Sequence, residues 1–275
     1  MELKDKVAIV TGSGRGIGFG IASVMAREGA SVVVMDRNPA QAEEGAAAIR
    51  ATGGRALAVA ADVTNPDQLA AMVAATQKEF GGLDILVNNA GIEAPPKHLA
   101  DIPEAQWDRV TGINLRGVYL CCKAAIPAIT RRGGGAIVNI ASVAGVRMSF
   151  FGSADYTAAK HGVIGLTQHL AWELAEYKIT VNAICPGAVL TPLAEETSSP
   201  EYREMVTKRL IPLGRWCSAE DIGETASFLA SPRASLLTGQ SVVVDGGVTT
   251  GFGEDLRAVV KARMAELSAA EAAKK

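Results

Sequence analysis

Residues 7–18 read VAIVTGSGRGIG and decide the fold. The β-branched run that ends at Thr11 predicts a buried strand, and the residues after it predict a tight glycine turn and then a helix that ends at Gly29. At such a turn, backbone N–H groups and the helix dipole favour an anion such as a pyrophosphate. We therefore expect a dinucleotide site here. The alternative is a turn that only packs the helix on the strand.

Strand and helix patterns alternate along the rest of the chain, with short connections. The predicted strands lie at 31–36, 55–63, 83–91, 134–142, 179–187 and 240–247, and the predicted helices at 39–54, 66–82, 104–130, 153–177 and 218–231. This alternation is typical of a parallel sheet that helices cover on both faces. We expect one α/β domain, doubly wound and Rossmann-type, over residues 1–250. Its substrate loops are expected at about 188–213, in a segment without strand character that crosses over the sheet.

Composition narrows the class of protein. The chain has 275 residues, 48% of them hydrophobic, and a formal net charge of −2, which argues against nucleic acid or an acidic membrane as partner. The N-terminus is charged and no apolar run reaches membrane-spanning length, so we expect a cytoplasmic protein without a membrane partner. The four cysteines are interpreted as buried thiols, and no metal site is expected. Residues 251–275 form an extension, either a frayed tail or a docked helix.

The choice of cofactor depends on Asp36, which ends the second strand about 20 residues after the glycine turn. A carboxylate at this point accepts both ribose hydroxyls of NAD and repels the 2′-phosphate of NADP. Arg15 and Arg37 are cations that can accommodate a phosphate. Because repulsion by an adjacent carboxylate outweighs one flexible arginine, we expect NAD, with NADP as the alternative.

At this point the chain resembles the short-chain dehydrogenase/reductase family, over about residues 4–247. The motifs that carry the resemblance occur in the family's order along the chain. They are TGxxxGxG at 11–18, NNAG at 88–91, Asn114 in GINLRG, Ser142 in IVNIASVAG, YTAAK at 156–160 and PGAVLT at 186–191. The resemblance implies a seven-stranded Rossmann-type sheet, a nicotinamide cofactor and a homotetramer or homodimer.

A catalytic set of Asn114, Ser142, Tyr156 and Lys160 follows from this resemblance. Tyr156 and Lys160 stand four residues apart and share a helix face, so the ammonium is expected to lower the phenol's pKa from about 10 and to make it a proton donor and acceptor. By resemblance, Lys160 also binds the nicotinamide ribose, Ser142 orients the substrate oxygen and Asn114 holds a water. The alternatives are a strand-end turn for Ser142 and a helix-bending core amide for Asn114.

Cofactor contacts are carried over by the same resemblance. Asp62 and Val63 are expected to flank the adenine, and the NNAG segment to line the adenosine side of the groove. Val189 and Thr191 are expected beside the carboxamide and the pyrophosphate. The expected contacts are Gly12, Arg15, Gly16, Ile17, Gly18, Asp36, Arg37, Asp62, Val63, Asn88, Asn89, Ala90, Gly91, Tyr156, Lys160, Pro186, Gly187, Val189 and Thr191.

Three variable pieces are expected to form the substrate pocket: 93–97, 146–155 and about 193–213. Met148, Phe150 and Phe151 suit a cyclic or aliphatic alcohol or ketone, whereas Glu93 and Arg147 suit a polyol. The leading hypothesis is an oxidoreductase that transfers a hydride between NAD(H) and a secondary alcohol or ketone. The alternatives are an NADPH-dependent 3-oxoacyl-type reductase, supported by Arg15, Arg37 and the basic pair at 131–132, and a non-catalytic NAD-binding protein.

Overall fold

The structure is a computed structural model that describes residues 1–94, 97–148 and 152–251. Within this part of the chain, seven strands form one parallel sheet in the order β3-β2-β1-β4-β5-β6-β7. The strands are β1 Val7–Thr11, β2 Ser31–Asp36, β3 Arg55–Ala60, β4 Ile85–Asn88, β5 Gly135–Ile140, β6 Ile179–Pro186 and β7 Ser241–Val244. This confirms the predicted doubly wound Rossmann-type sheet.

Helices connect the strands and cover both faces of the sheet. They are α1 Gly16–Arg27, α2 Pro39–Ala51, α3 Pro66–Phe80, α4 Glu104–Thr111, α5 Gly117–Arg131, α6 Ala154–Glu173, α7 Pro192–Thr197, α8 Pro200–Leu210 and α9 Ala219–Ala230. Several begin where the sequence supplies a cap. Asn38 and Asn65 each accept backbone N–H groups ahead of a proline, and Ser218 with Asp221 forms a reciprocal capping box.

Two hydrophobic cores lie on opposite faces of the sheet, because successive strand residues point to opposite sides. Ile9 packs with residues of α3, α5 and α6, whereas its neighbours Ala8 and Val10 pack with residues of α1, α2 and α9. All four cysteines are buried and free, as expected. With both faces of the sheet covered by helices, a ligand binds at the edge where the strands end.

The structure differs from the predicted elements in two places near that edge. The expected helix over 104–130 is interrupted by a π-helical turn at Gly112–Arg116, which separates α4 from α5. The segment 188–213, expected as an irregular excursion, contains the helices α7 and α8. Thr191 and Ser199 cap these helices, and a proline follows each cap. That Thr-Pro and Ser-Pro pattern was the missed signal.

Some expected features lie outside the described residues. They are Phe150 and Phe151 of the second substrate piece, two residues of the first piece at 95–96, and the extension from 252 onward. In the described part of the chain, no helix has both the length and the apolar content that a membrane crossing requires.

Candidate active site

The loops after β1 and β4 are fastened to each other at the point where the strand order reverses. The hydroxyl of Thr11 accepts hydrogen bonds from the backbone N–H groups of Asn89 and Ala90, each at 3.0 Å. The Asn89 amide donates in return to the carbonyl oxygens of Thr11 at 2.9 Å and Gly12 at 3.0 Å. The predicted cofactor contact Asn89 therefore fixes the path of the glycine loop.

The glycine loop leaves room for a ligand at the start of α1. Gly12 and Gly16 have φ angles of +60° and +59°, a backbone conformation that favours glycine. A Cβ on Gly18 would lie 2.3 Å from the carbonyl oxygen of Gly12, so only glycine permits this packing. The first turn of α1 carries no acidic residue and no side-chain cap. Its backbone N–H groups therefore suit a pyrophosphate, and the predicted contact Ile17 lies in the same turn.

The end of β2 is polar and is connected to the glycine loop. The Asp36 carboxylate accepts hydrogen bonds from the backbone N–H of Asn38 at 3.0 Å and of Gly14 at 3.4 Å. Next to it lies a cleft of about 400 Å³. Its lining residues are Arg37, Asn38, Ala60, Ala61, Asp62 and Gln68. Hydrogen bonds from Thr64 lower the pKa of Asp62, and the charge of Arg37 lowers it further.

Most of the remaining predicted cofactor residues lie at this edge of the sheet, and one of them lies in the interior. Thr191 lies opposite the glycine loop, since a Cβ on Gly16 would be 3.8 Å from its methyl carbon. Arg15, Ala90, Gly91 and Gly187 are exposed or half-buried near this edge, and Val63, Pro186 and Val189 are buried there. Asn88 lies in the interior instead, where its amide donates to Asn139 at 2.8 Å.

Ser142, Tyr156 and Lys160 meet at the ends of β5 and α6. The first turns of α6 present Tyr156 and Lys160 on one face, and the Lys160 ammonium donates a 2.8 Å hydrogen bond to the carbonyl oxygen of Ile140, the last residue of β5. Its nitrogen lies 5.6 Å from the centroid of the Tyr156 ring. Ser142 hydrogen-bonds the Tyr156 phenol, and its hydroxyl also accepts the backbone N–H of Ala144.

Burial controls the ionisation of this pair. It raises the pKa of Tyr156, the Glu93 carboxylate raises it further, and the hydrogen bond from Ser142 opposes the rise. Burial also lowers the pKa of Lys160 to about 8, against an opposing effect of Glu93. The sequence predicted that Lys160 lowers the phenol's pKa, whereas removal from water dominates and the pKa of Tyr156 is raised. The phenol is therefore protonated near neutral pH and suited to donate a proton.

Asn114 is fully buried in the π-helical turn, where its side chain reaches the loop after β4. Its amide donates to the carbonyl oxygen of Ile92 and accepts the backbone N–H of the same residue, both at 2.8 Å. The helix irregularity expected as the alternative for Asn114 is present. Single-turn π insertions occur frequently at functional sites. The predicted water at Asn114 stays a prediction.

Asp155 is a site residue that the sequence analysis missed. It is buried beside Tyr156 and accepts the backbone N–H of Tyr156 at 2.7 Å, the Ser153 hydroxyl, and the Gln106 amide of α4 at 3.0 Å. These contacts fix the first turn of α6 against α4. The local pattern, an acidic residue in the first turn after Ser153, is typical of a helix start and does not indicate the contact with Gln106.

These residues fit a nicotinamide dinucleotide. The glycine loop and α1 would hold its pyrophosphate, Asp36 and the adjacent cleft its adenosine half, and Lys160 its nicotinamide ribose. When bound, the nicotinamide supplies or accepts a hydride. Beside it, the Tyr156 phenol, which is hydrogen-bonded to Ser142, would be placed to exchange a proton with a substrate oxygen. No group of potential metal ligands is present among the described residues.

The chain is similar to known proteins over most of its length. A family model described as enoyl-(acyl carrier protein) reductase matches residues 12–249. A 3-oxoacyl-(acyl-carrier-protein) reductase of Staphylococcus aureus is 42% identical over 247 residues, which are 88% of this chain and 98% of that protein. D-beta-hydroxybutyrate dehydrogenase of Rhizobium meliloti is 40% identical over 259 residues, 89% of this chain and 98% of that protein.

A solved structure is also similar over most of the chain. It is 7α-hydroxysteroid dehydrogenase in complex with NADH and 7-oxo glycochenodeoxycholic acid, with a TM-score of 0.84 and 35% identity over 90% of this chain and 95% of that one. The relatives are named as dehydrogenases and reductases of hydroxyl and keto groups. The chain belongs to the short-chain dehydrogenase/reductase family, whose members bind a nicotinamide cofactor, and is an oxidoreductase that acts on CH–OH groups.

Proposed function

We propose that this protein is an NAD(H)-dependent dehydrogenase that interconverts a secondary alcohol and its ketone. The observation that carries the proposal is the meeting of Ser142, Tyr156 and Lys160 at the strand edge, with Asp36 at the end of β2. In the reducing direction the protonated Tyr156 gives its proton to the substrate oxygen, and the Lys160 ammonium stabilises the phenolate that remains. In the oxidising direction the same phenolate takes the proton.

Asp36 supports NAD over NADP. Its carboxylate is fixed by the N–H groups of Asn38 and Gly14, so it cannot turn away from a ribose phosphate without losing both hydrogen bonds. A 2′-phosphate beside this carboxylate would suffer like-charge repulsion. The NADH in the 7α-hydroxysteroid dehydrogenase structure supports the same choice by analogy.

A second candidate is an NADPH-dependent 3-oxoacyl-type reductase. Arg37 adjoins the cleft next to Asp36, where a guanidinium can pair with a phosphate. The similarity to a 3-oxoacyl-(acyl-carrier-protein) reductase supports the same substrate class. This candidate and the leading one use the same proton chemistry and differ in the cofactor and in the length of the substrate.

The assembly and the location of the protein are part of the proposal. Trp172, on α6, is 84% exposed. The same helix, with α4 and α5, lines a groove of about 500 Å³ that includes Leu115, Tyr119 and Leu166. Leu236, beside the edge strand β7, is 95% exposed. Two separate apolar surfaces support a homotetramer, and one of them alone would give a homodimer.

We also propose a cytoplasmic location and one catalytic domain over residues 1–250, with 251–275 as an extension.

The test is a panel of secondary alcohols and ketones, each measured with both NAD(H) and NADP(H). We expect turnover of at least one cyclic or aliphatic substrate with NAD(H), and a loss of 10²-fold or more in kcat in Tyr156→Phe. Tyr177→Phe, at an exposed tyrosine after α6, is the matched control and should retain activity. Absence of turnover across the panel, or full activity of Tyr156→Phe, would refute the proposed function.

A further inference from the structure

Asp155 caps the first turn of α6 at the residue that carries the phenol. One oxygen of its carboxylate accepts the backbone N–H of Tyr156 at 2.7 Å. This N–H belongs to the first turn of the helix, where no carbonyl of the preceding turn can accept it. Ser153 occupies the N-cap, yet its side chain accepts no backbone N–H and its hydroxyl donates to Asp155 instead. Asp155 therefore holds the peptide group of Tyr156 itself.

The other oxygen of the same carboxylate joins α6 to α4. It accepts the side-chain amide of Gln106 at 3.0 Å. α4 continues into the π-helical turn, where Asn114 holds the loop after β4 by two hydrogen bonds to Ile92. Lys160, one turn further along α6, is fixed separately to the end of β5. The contact between Gln106 and Asp155 thus ties the first turn of α6 to the helix that leads into that anchor.

The carboxylate of Asp155 is fully buried, and its hydrogen bonds keep it ionised there. Burial opposes ionisation, but hydrogen bonds from Ser153, Gln106 and the Tyr156 N–H outweigh that effect and hold the pKa of Asp155 below its usual value. An ionised carboxylate accepts hydrogen bonds at both oxygens. Its removal would leave these three donors without this acceptor in the protein interior.

We propose that Asp155 is a positioning residue, whose hydrogen bonds to the Tyr156 N–H and to Gln106 set the place of the phenol in the site. The inference rests on the proposed role of Tyr156 as proton donor and acceptor. A displacement of about 1 Å at a reacting group can cost about 10²-fold in rate. Asp155 acts through the geometry of its hydrogen bonds, so a neutral side chain with the same acceptor should replace it.

The first experiment compares Asp155→Ala with Asp155→Asn in the reduction of a ketone that the parent turns over. Asparagine keeps an oxygen for the Tyr156 N–H, and its amide can donate to the amide oxygen of Gln106 once that side chain has turned. We expect Asp155→Ala to lower kcat about tenfold or more while NADH binding stays within about threefold of the parent. Asp155→Asn should restore kcat to within about threefold of the parent.

Asp221→Ala is the matched control, because it removes the acidic partner of Ser218 in the capping box of α9. We expect it to lower the temperature of unfolding and to leave kcat unchanged. A parent-like kcat in Asp155→Ala would overturn the proposal. So would equal losses in the alanine and asparagine variants, or a loss of kcat in Asp221→Ala as large as that in Asp155→Ala.

Gln106 gives a second test of the same contact. Gln106→Glu places a carboxylate against that of Asp155, so we expect like-charge repulsion and a lower kcat. When Gln106→Glu is combined with Asp155→Asn, the asparagine amide can donate to the new carboxylate, and kcat should recover. A double variant no faster than Gln106→Glu alone contradicts the inference.

A spectroscopic measurement separates this inference from the proposed function. The chain has four tyrosines, and fluorine NMR of the protein labelled with fluorotyrosine follows them without substrate. The signal that disappears in Tyr156→Phe belongs to Tyr156. We expect Asp155→Ala to shift or broaden this signal, and Asp155→Asn and Asp221→Ala to leave it in place.

The two proposals then fail separately. If no alcohol or ketone is turned over but the Tyr156 signal responds in this way, the proposed function fails and the positioning role of Asp155 stands. An unchanged Tyr156 signal in Asp155→Ala overturns the inference whether or not turnover occurs.

Discussion

Lys160 donates a 2.8 Å hydrogen bond from its ammonium to the carbonyl oxygen of Ile140, the last residue of β5. The contact joins the sheet edge to the helix that carries Tyr156, so the cation and the phenol keep their separation. It also compensates part of the free energy that burial of a charged lysine requires. The remaining penalty appears as a lowered pKa, and two predictions depend on it.

The rate of ketone reduction should fall above about pH 8. Burial lowers the pKa of Lys160 to about 8, so the ammonium that stabilises the Tyr156 phenolate is lost above that pH. Because Glu93 raises the pKa of Lys160, Glu93→Gln should move this limb of the profile to lower pH. The measurement is kcat/KM for a turned-over ketone from pH 6 to 10. A flat profile to pH 10 contradicts the assignment.

The same burial links stability to pH. The folded protein binds Lys160's proton less tightly than the unfolded chain, whose lysine has a pKa near 10.5, so the contribution of Lys160 to the free energy of unfolding rises as pH increases from about 8 to 10.5. That contribution is about 3 kcal/mol. Urea unfolding should show this rise for the parent relative to Lys160→Met, which lacks the titrating group. The exposed Lys4→Met is the control for loss of one lysine. Parallel curves for the parent and Lys160→Met would refute the prediction.

Replacement of Asp36 by serine should shift the cofactor preference toward NADPH. The change removes the carboxylate that repels a 2′-phosphate and leaves the neighbouring Arg37 to bind it. We expect kcat/KM for NADPH to rise about tenfold or more relative to that for NADH. Asp67→Asn, an exposed charge on α3, is the matched control. A parent enzyme that already prefers NADPH would instead favour the second candidate function.

Gly18→Ala should impair both folding and cofactor binding. The added methyl would lie 2.3 Å from the Gly12 carbonyl oxygen and 2.5 Å from the Asn89 amide nitrogen, so the glycine loop must move. Overpacking of this kind costs about 1–3 kcal/mol. Thermal unfolding and NADH titration by fluorescence measure the two effects. Parent-like values in both experiments would show that the loop tolerates the methyl.

The two apolar surfaces should contribute separately to assembly. Trp172→Glu on α6 places a charge in one surface, and Leu236→Glu places a charge in the other. We expect light scattering to give tetramers for the parent, dimers for each single variant and monomers for the double variant. A monomeric parent would refute the proposed assembly. If a single variant assembles as the parent does, the surface that it changes is not part of an interface.

The order of strands and helices was predictable because strong local signals repeat along the chain. Buried parallel strands such as 31–36 are continuous apolar runs, and Asn-Pro or Ser-x-x-Asp patterns begin several of the helices. The break at Gly112–Arg116 was not predictable in the same way, because the helical pattern continues through it. It is associated with a contact between Asn114 and a residue 22 positions away, which no local pattern encodes.

The candidate site, like the fold, was predictable from the sequence only in part. Tyr156 and Lys160 could be paired from helical spacing alone, and Ser142 from its place at a strand end. Their ionisation could not be predicted, because it depends on burial and on the charge of Glu93, which come from packing. Asp155 was missed for a similar reason, since its partner Gln106 is on another helix.

The two hydrogen bonds by which Asn114 holds the loop after β4 are both made to backbone atoms of Ile92. They therefore do not depend on the side chain of the next residue, Glu93. Substitution of the Ile92 or Glu93 side chain therefore removes neither hydrogen bond of this anchor. The loop can change in sequence without a change in its backbone conformation.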